Sequence, residues 1–460
     1  MTTPVLRAGA AAVDITPPMG LEMAGYGWYL KRVCTEVLDP LYARALYLEC
    51  GDAVIVLITA DLCMVDFATR QAVANRLRRI IGLPEPNLVL SAIHTHSGPS
   101  AQFLVGWGER DPAYMALLVD RLVEAAVQAR ATAAPAWIGA SRVRVMDVGL
   151  NRDQPQIALV DTAAQLLRVD RGDGAPLAVL YNFGAHAVIR YPFTSRISAD
   201  WPGLVGAAVR SQMPGVVPFF LQAPCGNINA QHPTFDMTDP ETDQKVSDMH
   251  VGAVALRFSD QIIPPLKSLR TGPVGRMEVL WKMLDLPCLP VDRAAMEAQI
   301  RDNQALADSR TLAQLRPLHE RLTTETQEER AWRDARYKVD VARRQLEMMD
   351  HPPYVRRAPV QVIRLGDIVL VGWPAEVYVE LGLEIRQRSP FPLTFVASFT
   401  NDTAGYIPTP AVYESRGKGN DFGRYPRDMT HQIYGELPYR SDVGRILVEE
   451  TMGLLNNLAV

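Results

Sequence analysis

The segment Asn87-Leu-Val-Leu-Ser-Ala-Ile-His94-Thr-His96-Ser-Gly-Pro99 sets the reading of the chain. An apolar run of strand length goes straight into His-x-His and is stopped by Ser-Gly-Pro. Such a run is typical of a strand buried on both faces. Side chains of an extended backbone leave alternate sides, so the spacing predicts His94 and His96 on one side. Two adjacent imidazoles at the end of a core strand suit a metal, or one ligand beside a group that polarises a substrate. Taken alone, the pair also suits two hydrogen-bonded structural histidines.

Outward from this segment, similar runs recur at Ala53–Ala60, Leu177–Asn182, Val216–Gln222, Ile368–Gly372 and Leu393–Phe399. Between them, helical spacing covers Phe67–Ile81, Asp111–Ala131, Trp201–Gln212 and Ala375–Arg388, with Pro202 suited to a first helical turn. The alternation predicts an α/β fold, with mixed β-sheets flanked by helices, in one large domain over residues 1–460. Residues 291–350 contain no glycine and are rich in Ala, Glu, Arg, Gln and Leu. They read as two or three amphipathic helices inserted at about 290–350 and ended by His351-Pro-Pro. A solvated helical hairpin is the plain reading; the specific ones are a homo-oligomer contact and a cover for the active site.

Composition narrows the class. Of 460 residues, 48% are apolar and 21% charged, with a net charge of −4, a globular balance that points away from nucleic acid as a partner. No apolar run approaches the roughly 18 residues of a transmembrane segment. The start has no cationic stretch followed by an apolar core, and five scattered cysteines (Cys34, Cys50, Cys63, Cys225, Cys288) read as reduced thiols, so a cytoplasmic location is expected.

The chemistry gathers at strand ends. Leu177–Asn182 leads to His186, Ile368–Gly372 to Glu376, and Leu393–Phe399 to Asn401 and Tyr406. Open α/β sheets place their sites at such carboxyl ends. His94, His186 and Glu376 make a two-histidine, one-carboxylate set suited to a catalytic Zn2+, although iron, manganese or cobalt would also be accepted. Asp200 and Asp61 are further carboxylates near strand ends. Asp200 reads as an orienting group, a base or a helix N-cap. Asn401, Tyr413 and His232 are neighbours of the motifs.

These motifs resemble, in kind and order, the amino-terminal catalytic domain of the neutral (alkaline, non-lysosomal) ceramidases. The resemblance rests on Ala12-Val-Asp14-Ile-Thr-Pro17 with Met23-Ala-Gly-Tyr-Gly27, Leu41-Tyr-Ala-Arg44-Ala-Leu, His94-Thr-His96-Ser-Gly-Pro99, Asn151-Arg152, and Gly405-Tyr406-Ile-Pro-Thr, over roughly residues 8–415. It implies one zinc ion on His94, His186, Glu376 and Tyr406, with His96 and Arg152 lining the substrate amide. The family's Gly-Asp-Val-Ser-Pro-Asn string, whose serine is essential there, is matched here by Gly226-Asn227-Ile228-Asn229-Ala230-Gln231, so Asn229 stands at the serine position. An amide cannot be deprotonated into a nucleophile but can donate and accept hydrogen bonds. Cys225, four residues earlier, is the alternative nucleophile and otherwise a small core residue. Ceramidases are longer, end in a β-sandwich domain and often begin with a secretory signal. Measured against them, this sequence reads as a short, divergent member with a substrate other than ceramide.

The expected activity is therefore hydrolysis of a small-molecule amide, an N-acyl compound, by metal-activated water. An esterase or lactonase, and a non-catalytic metal- or ligand-binding relative, are the alternatives.

Overall fold

The structure, a computed structural model, describes residues 5–153, 159–233, 239–414 and 429–460. Eight strands form the larger sheet: β1 (Arg7–Asp14), β2 (Tyr42–Cys50), β3 (Ala53–Ala60), β4 (Leu88–Ala92), β5 (Ala134–Arg144), β6 (Ala163–Arg171), β7 (Pro176–Phe183) and β8 (Val217–Gln222). Their order in space is β8-β7-β6-β5-β1-β2-β3-β4. Inner pairings are antiparallel, while the outermost pair at each edge is parallel. Parallel neighbours need a crossover. Here α1 (Phe67–Ile81) joins β3 to β4, and α3 (Asp200–Gln212) joins β7 to β8. Both edges thus carry a β-α-β unit, and both aim a strand end at the site. α2 (Pro112–Ala131) and α4 (Pro240–Ser268) pack on the same face as α1 and α3.

The smaller sheet has the order β9 (Met277–Pro287), β10 (Val355–Leu365), β11 (Ile368–Gly372), β12 (Leu393–Ala397). The period-two alternation of β3 shows how the layers are built. Val56 and Ile58 face the helices with Val73 and Leu77, whereas Ile55 and Leu57 face the smaller sheet with Leu370 and Phe395. The far face of the smaller sheet, with Val369 and Val371, is covered by α7 (Val379–Arg388) and α8 (Val443–Ala459) through Ile385, Leu447 and Leu455. The result is four layers, helix-sheet-sheet-helix. No helix among the described residues is long and apolar enough to cross a membrane.

The segment after β12 ties the two edges of the larger sheet together. Ser398 N donates to Gln222 O of β8 (2.8 Å), Ala92 N of β4 donates to Phe399 O (3.1 Å), and Asn401 N donates to Leu90 O (2.7 Å). The Asn401 amide accepts from Leu90 N (2.9 Å) and donates to Gln361 (2.7 Å). Its backbone has φ +68°, a left-handed conformation that asparagine tolerates better than most residues.

Two expectations are corrected. The helix expected from Ala375 begins at Val379, because Glu376–Val377 is extended and pairs in parallel with Tyr406–Ile407. The insertion is not simply solvated. Its helices α5 (Arg293–Ala307) and α6 (Gln327–Met349) run antiparallel, with Trp332 Nε1 donating to Ala307 O (3.0 Å). α6 docks on the body, where Tyr337 stacks on Trp28 with centroids 4.5 Å apart and Tyr29 donates to Asp340.

Asn401→Ala removes the acceptor that satisfies buried Leu90 N–H and cuts the link to Gln361. Unfolding free energy is expected to fall by about 2–3 kcal/mol. Denaturant titration measures this, and an unchanged midpoint would refute the tie between the edges.

Candidate active site

The chain beyond β4 stays bonded to the chain beyond β3: Ile93 N donates to Ala60 O (3.1 Å) and His94 N to Leu62 O (2.9 Å). β4 ends at Ala92, and His94 has φ +69°, so simple alternation along a strand is not what brings the two histidines together. The left-handed turn does so instead. The rings of His94 and His96 meet edge to face, and their Nε2 atoms lie 3.4 Å apart.

His94 Nδ1 lies 3.0 Å from Cys63 O, and its ring stacks on Phe399 with centroids 4.0 Å apart. His186 Nδ1 lies 2.8 Å from Ile228 O. A carbonyl oxygen can only accept, so each Nδ1 carries the proton and each Nε2 presents a lone pair. These lone pairs face Glu376 Oε2, at 3.2 Å from His186 Nε2 and 3.6 Å from His94 Nε2. Burial holds all three histidines uncharged: His94 is lowered to about 3, and His186 and His96 lie well below the usual imidazole value. Three buried acceptor atoms therefore converge, with Arg152 Nη2 3.4 Å from His186 Nε2 beside them. That donor set fits a cation, and His94, His186 and Glu376 form a group able to hold a metal ion.

Glu376 is aimed by Tyr434, whose hydroxyl donates to Oε1. Burial, with the Glu376 charge beside it, pushes the Tyr434 phenol well above its ordinary value and keeps that proton in place. Arg152 reaches the group from the other chain segment: it donates to Tyr406 Oη (2.7 Å), Gly226 O (2.8 Å) and Asn229 Oδ1 (3.1 Å). Burial opposes its charge, but Tyr406 and Glu376 outweigh burial and hold the guanidinium protonated. A cavity of about 280 Å³ opens beside the cluster, its wall including Tyr26, His96, Trp107, Arg152, Asn229 and Tyr434.

Some expected neighbours lie elsewhere. Asp61 forms a buried ion pair with Arg44 (2.5 Å) and accepts from Tyr42 N (2.9 Å). Asp200 accepts from Arg190 N (2.9 Å) and Trp201 N (2.7 Å) and neither caps α3 nor bonds His94 or His186, whose rings are oriented by backbone carbonyls. Cys225 is fully buried and accepts from Gln222 Nε2 (2.8 Å), and burial raises its thiol far from the reactive range. The nucleophilic reading of Cys225 is overturned. Asn401 is spent on the sheet tie, whereas Tyr413 lines a small neighbouring cavity that shares Tyr406 and Tyr434 with the site. His232 does reach the site, with Nε2 3.0 Å from Asn229 Nδ2. Sequence reasoning missed Tyr434, which follows a four-residue helix, Thr430–Ile433, and carries no motif, and Cys63, whose carbonyl holds His94 and whose thiol groups with His94 and His96 as a second metal-competent trio.

Residues 6–218 match the sequence model of neutral/alkaline non-lysosomal ceramidase, N-terminal. The neutral ceramidase of Mycobacterium tuberculosis is 25% identical, over 96% of this chain and 78% of that protein. Over these residues the chain is similar to the neutral/alkaline ceramidases. Neutral ceramidase 1 of Arabidopsis thaliana is 27% identical over 42% of this chain and 28% of that protein. The crystal structure of the Pseudomonas aeruginosa neutral ceramidase superimposes with a TM-score of 0.71 at 19% identity, covering 99% of this chain and 75% of that one, and shares the fold. Within the ceramidase fold, the strand-end positions of His94 and His186 and the pairing of Glu376 with Tyr406 are architectural features of this chain's sheets.

The buried neutral imidazoles set a pH dependence. Folded, His94, His96 and His186 resist protonation; unfolded, they protonate near pH 6.5, so the unfolded state binds more protons below that value. Metal-stripped protein is expected to lose stability as pH falls below about 6.5, by about 1.4 kcal/mol per histidine per pH unit. Denaturant titrations between pH 7.5 and 5 read this slope; a flat profile would show that the imidazoles are charged in the fold.

Proposed function

We propose that this chain is a metal-dependent hydrolase that cleaves the amide bond of an N-acyl compound, with ceramide-like lipid amides the first class to test. One observation carries the reading: two imidazole lone pairs and one carboxylate converge at 3.2–3.6 Å with both Nδ1 protons spent on carbonyls. Zinc is the ion that this donor set suits best.

A divalent ion held by His94, His186 and Glu376 would supply Lewis-acid polarisation of a carbonyl and lower the pKa of a water molecule from about 15.7 to about 7. The protein's own groups supply the rest. Tyr434 fixes one oxygen of Glu376 and leaves the other to the imidazoles. Arg152 stays charged in a buried setting and offers donors to the oxygen of a bound carbonyl. Tyr406 receives a hydrogen bond from Arg152 and stands beside the paired strand of Glu376, which suits a fourth ligand. His96, uncharged at the edge of the group, can take up the proton that water releases on attack and hand it to the departing nitrogen. Apolar and aromatic wall residues such as Trp107 and Ile433 suit an acyl chain.

Purified protein is expected to hold about one zinc ion per chain, with His94→Ala and Glu376→Ala holding little. Chelation should abolish hydrolysis, and zinc should restore it. Elemental analysis beside a matched panel of amides and esters checks both points. Hydrolysis that survives chelation or Glu376→Ala would sink the metal reading, and an ester-only profile would remove the amidase claim. Separately, Arg152→Ala is expected to lower kcat by roughly 10²–10³ while metal content stays unchanged.

A further inference from the structure

Asn229 sits in a short strand, Ile228–Ala230, which pairs with Gly149–Asn151 and fixes its backbone against the turn that carries Arg152. Its side chain lies in a hydrogen-bond chain whose polarity admits one arrangement. Arginine has no acceptor, so the Asn229 amide must turn its oxygen to Arg152 Nη1, at 3.1 Å. The nitrogen then faces His232 Nε2, at 3.0 Å. That nitrogen donates, so His232 Nε2 must accept, which places the imidazole proton on Nδ1. Nδ1 lies 2.9 Å from Pro233 O, an acceptor. Each contact fixes the next: Arg152 to Asn229, Asn229 to His232, His232 to a carbonyl.

We infer that His232 is a positioning residue that locks the Asn229 amide, with its oxygen on Arg152 and its second N–H at the wall of the cavity, where it takes an oxygen of the substrate. A hydroxyl at this position could rotate and serve as donor or acceptor; this amide, held at both ends, offers the cavity only a donor. Asn229 lines the cavity, and among the described residues its nitrogen is bonded to His232 alone. Position 229 therefore selects substrates that carry an acceptor, a carbonyl or hydroxyl oxygen, next to the scissile amide. The identity of the reaction rests on the proposed function above; the orientation of Asn229 does not.

The test pairs His232→Ala with His232→Gln in zinc-loaded protein. Alanine removes the acceptor and frees the amide to turn. kcat/KM for an amide bearing a neighbouring hydroxyl is expected to fall about five- to tenfold, mainly through KM, with metal content and thermal midpoint unchanged. Glutamine restores an acceptor oxygen at similar reach and should return kcat/KM to within about twofold of wild type. Amides without the neighbouring oxygen should respond weakly to either change. Crystal structures of both variants read the orientation without turnover, with Asn229 held on Arg152 in the glutamine variant and rotated or split between two positions in the alanine one. Equal kcat/KM in wild type and His232→Ala, or an unmoved Asn229 in the alanine variant, would overturn the inference. Inactive wild-type protein with a rotated Asn229 in His232→Ala would instead count against the proposed function and leave the positioning role standing.

Discussion

The site depends on closure of the larger sheet. Its two edge strands stand at opposite ends of the strand order, yet both hold to the same few residues, Ser398 to Asn401. Those bonds bring the chain beyond β4, with His94, beside the chain beyond β7, with His186. The same strand, β12, continues to Tyr406, whose short ladder fixes Glu376. Distant stretches thus meet because one segment satisfies backbone groups on both edges. An unsatisfied buried donor costs roughly 1–3 kcal/mol, so each of these bonds resists opening.

Electrostatics then specify what the meeting point can hold. Carbonyls of Cys63 and Ile228 fix the tautomers of His94 and His186, and burial denies both rings a second proton. Tyr434 satisfies one side of Glu376. Everything left over accepts. A cluster of this kind is repulsive by itself, and the four-layer packing around it has to contain that repulsion. The sheets do so because His94, His186 and Glu376 are anchored at or just beyond strands rather than on free loops. The Arg152 guanidinium neutralises part of the charge without approaching as a ligand.

Much of this was legible in the sequence. Largely apolar runs, such as AVIVLITA, announced strands covered on both faces, and the four-layer stack is the reason for that pattern. The histidine and glutamate positions followed from where those runs end. What escaped was set by longer-range geometry. The left-handed turn at His94 has no glycine to mark it. Tyr434 gains its role only because the chain after a short helix returns to Glu376. The helix assigned from Ala375 started late because pairing with Tyr406–Ile407, far along the chain, outweighs local helical spacing. The charged, glycine-free insertion looked solvated because the aromatic residues that receive it, Trp28 and Tyr29, lie some three hundred positions earlier.

Position 229 shows how one amide side chain constrains the chemistry open to the site. The backbone there bridges to His186 and pairs with the strand before Arg152, so the position is fixed beside the site. An amide pinned between a donor-only guanidinium and an imidazole nitrogen has neither an ionisable proton nor freedom to rotate. In the proposed reaction, attack on the carbonyl therefore has to come from solvent. Cys225, the other nucleophile within reach in sequence, is sealed in the core with its thiol proton held, which removes a covalent route by that path as well. A cavity of about 280 Å³ beside the acceptor cluster leaves room for both an acyl group and the water this route requires.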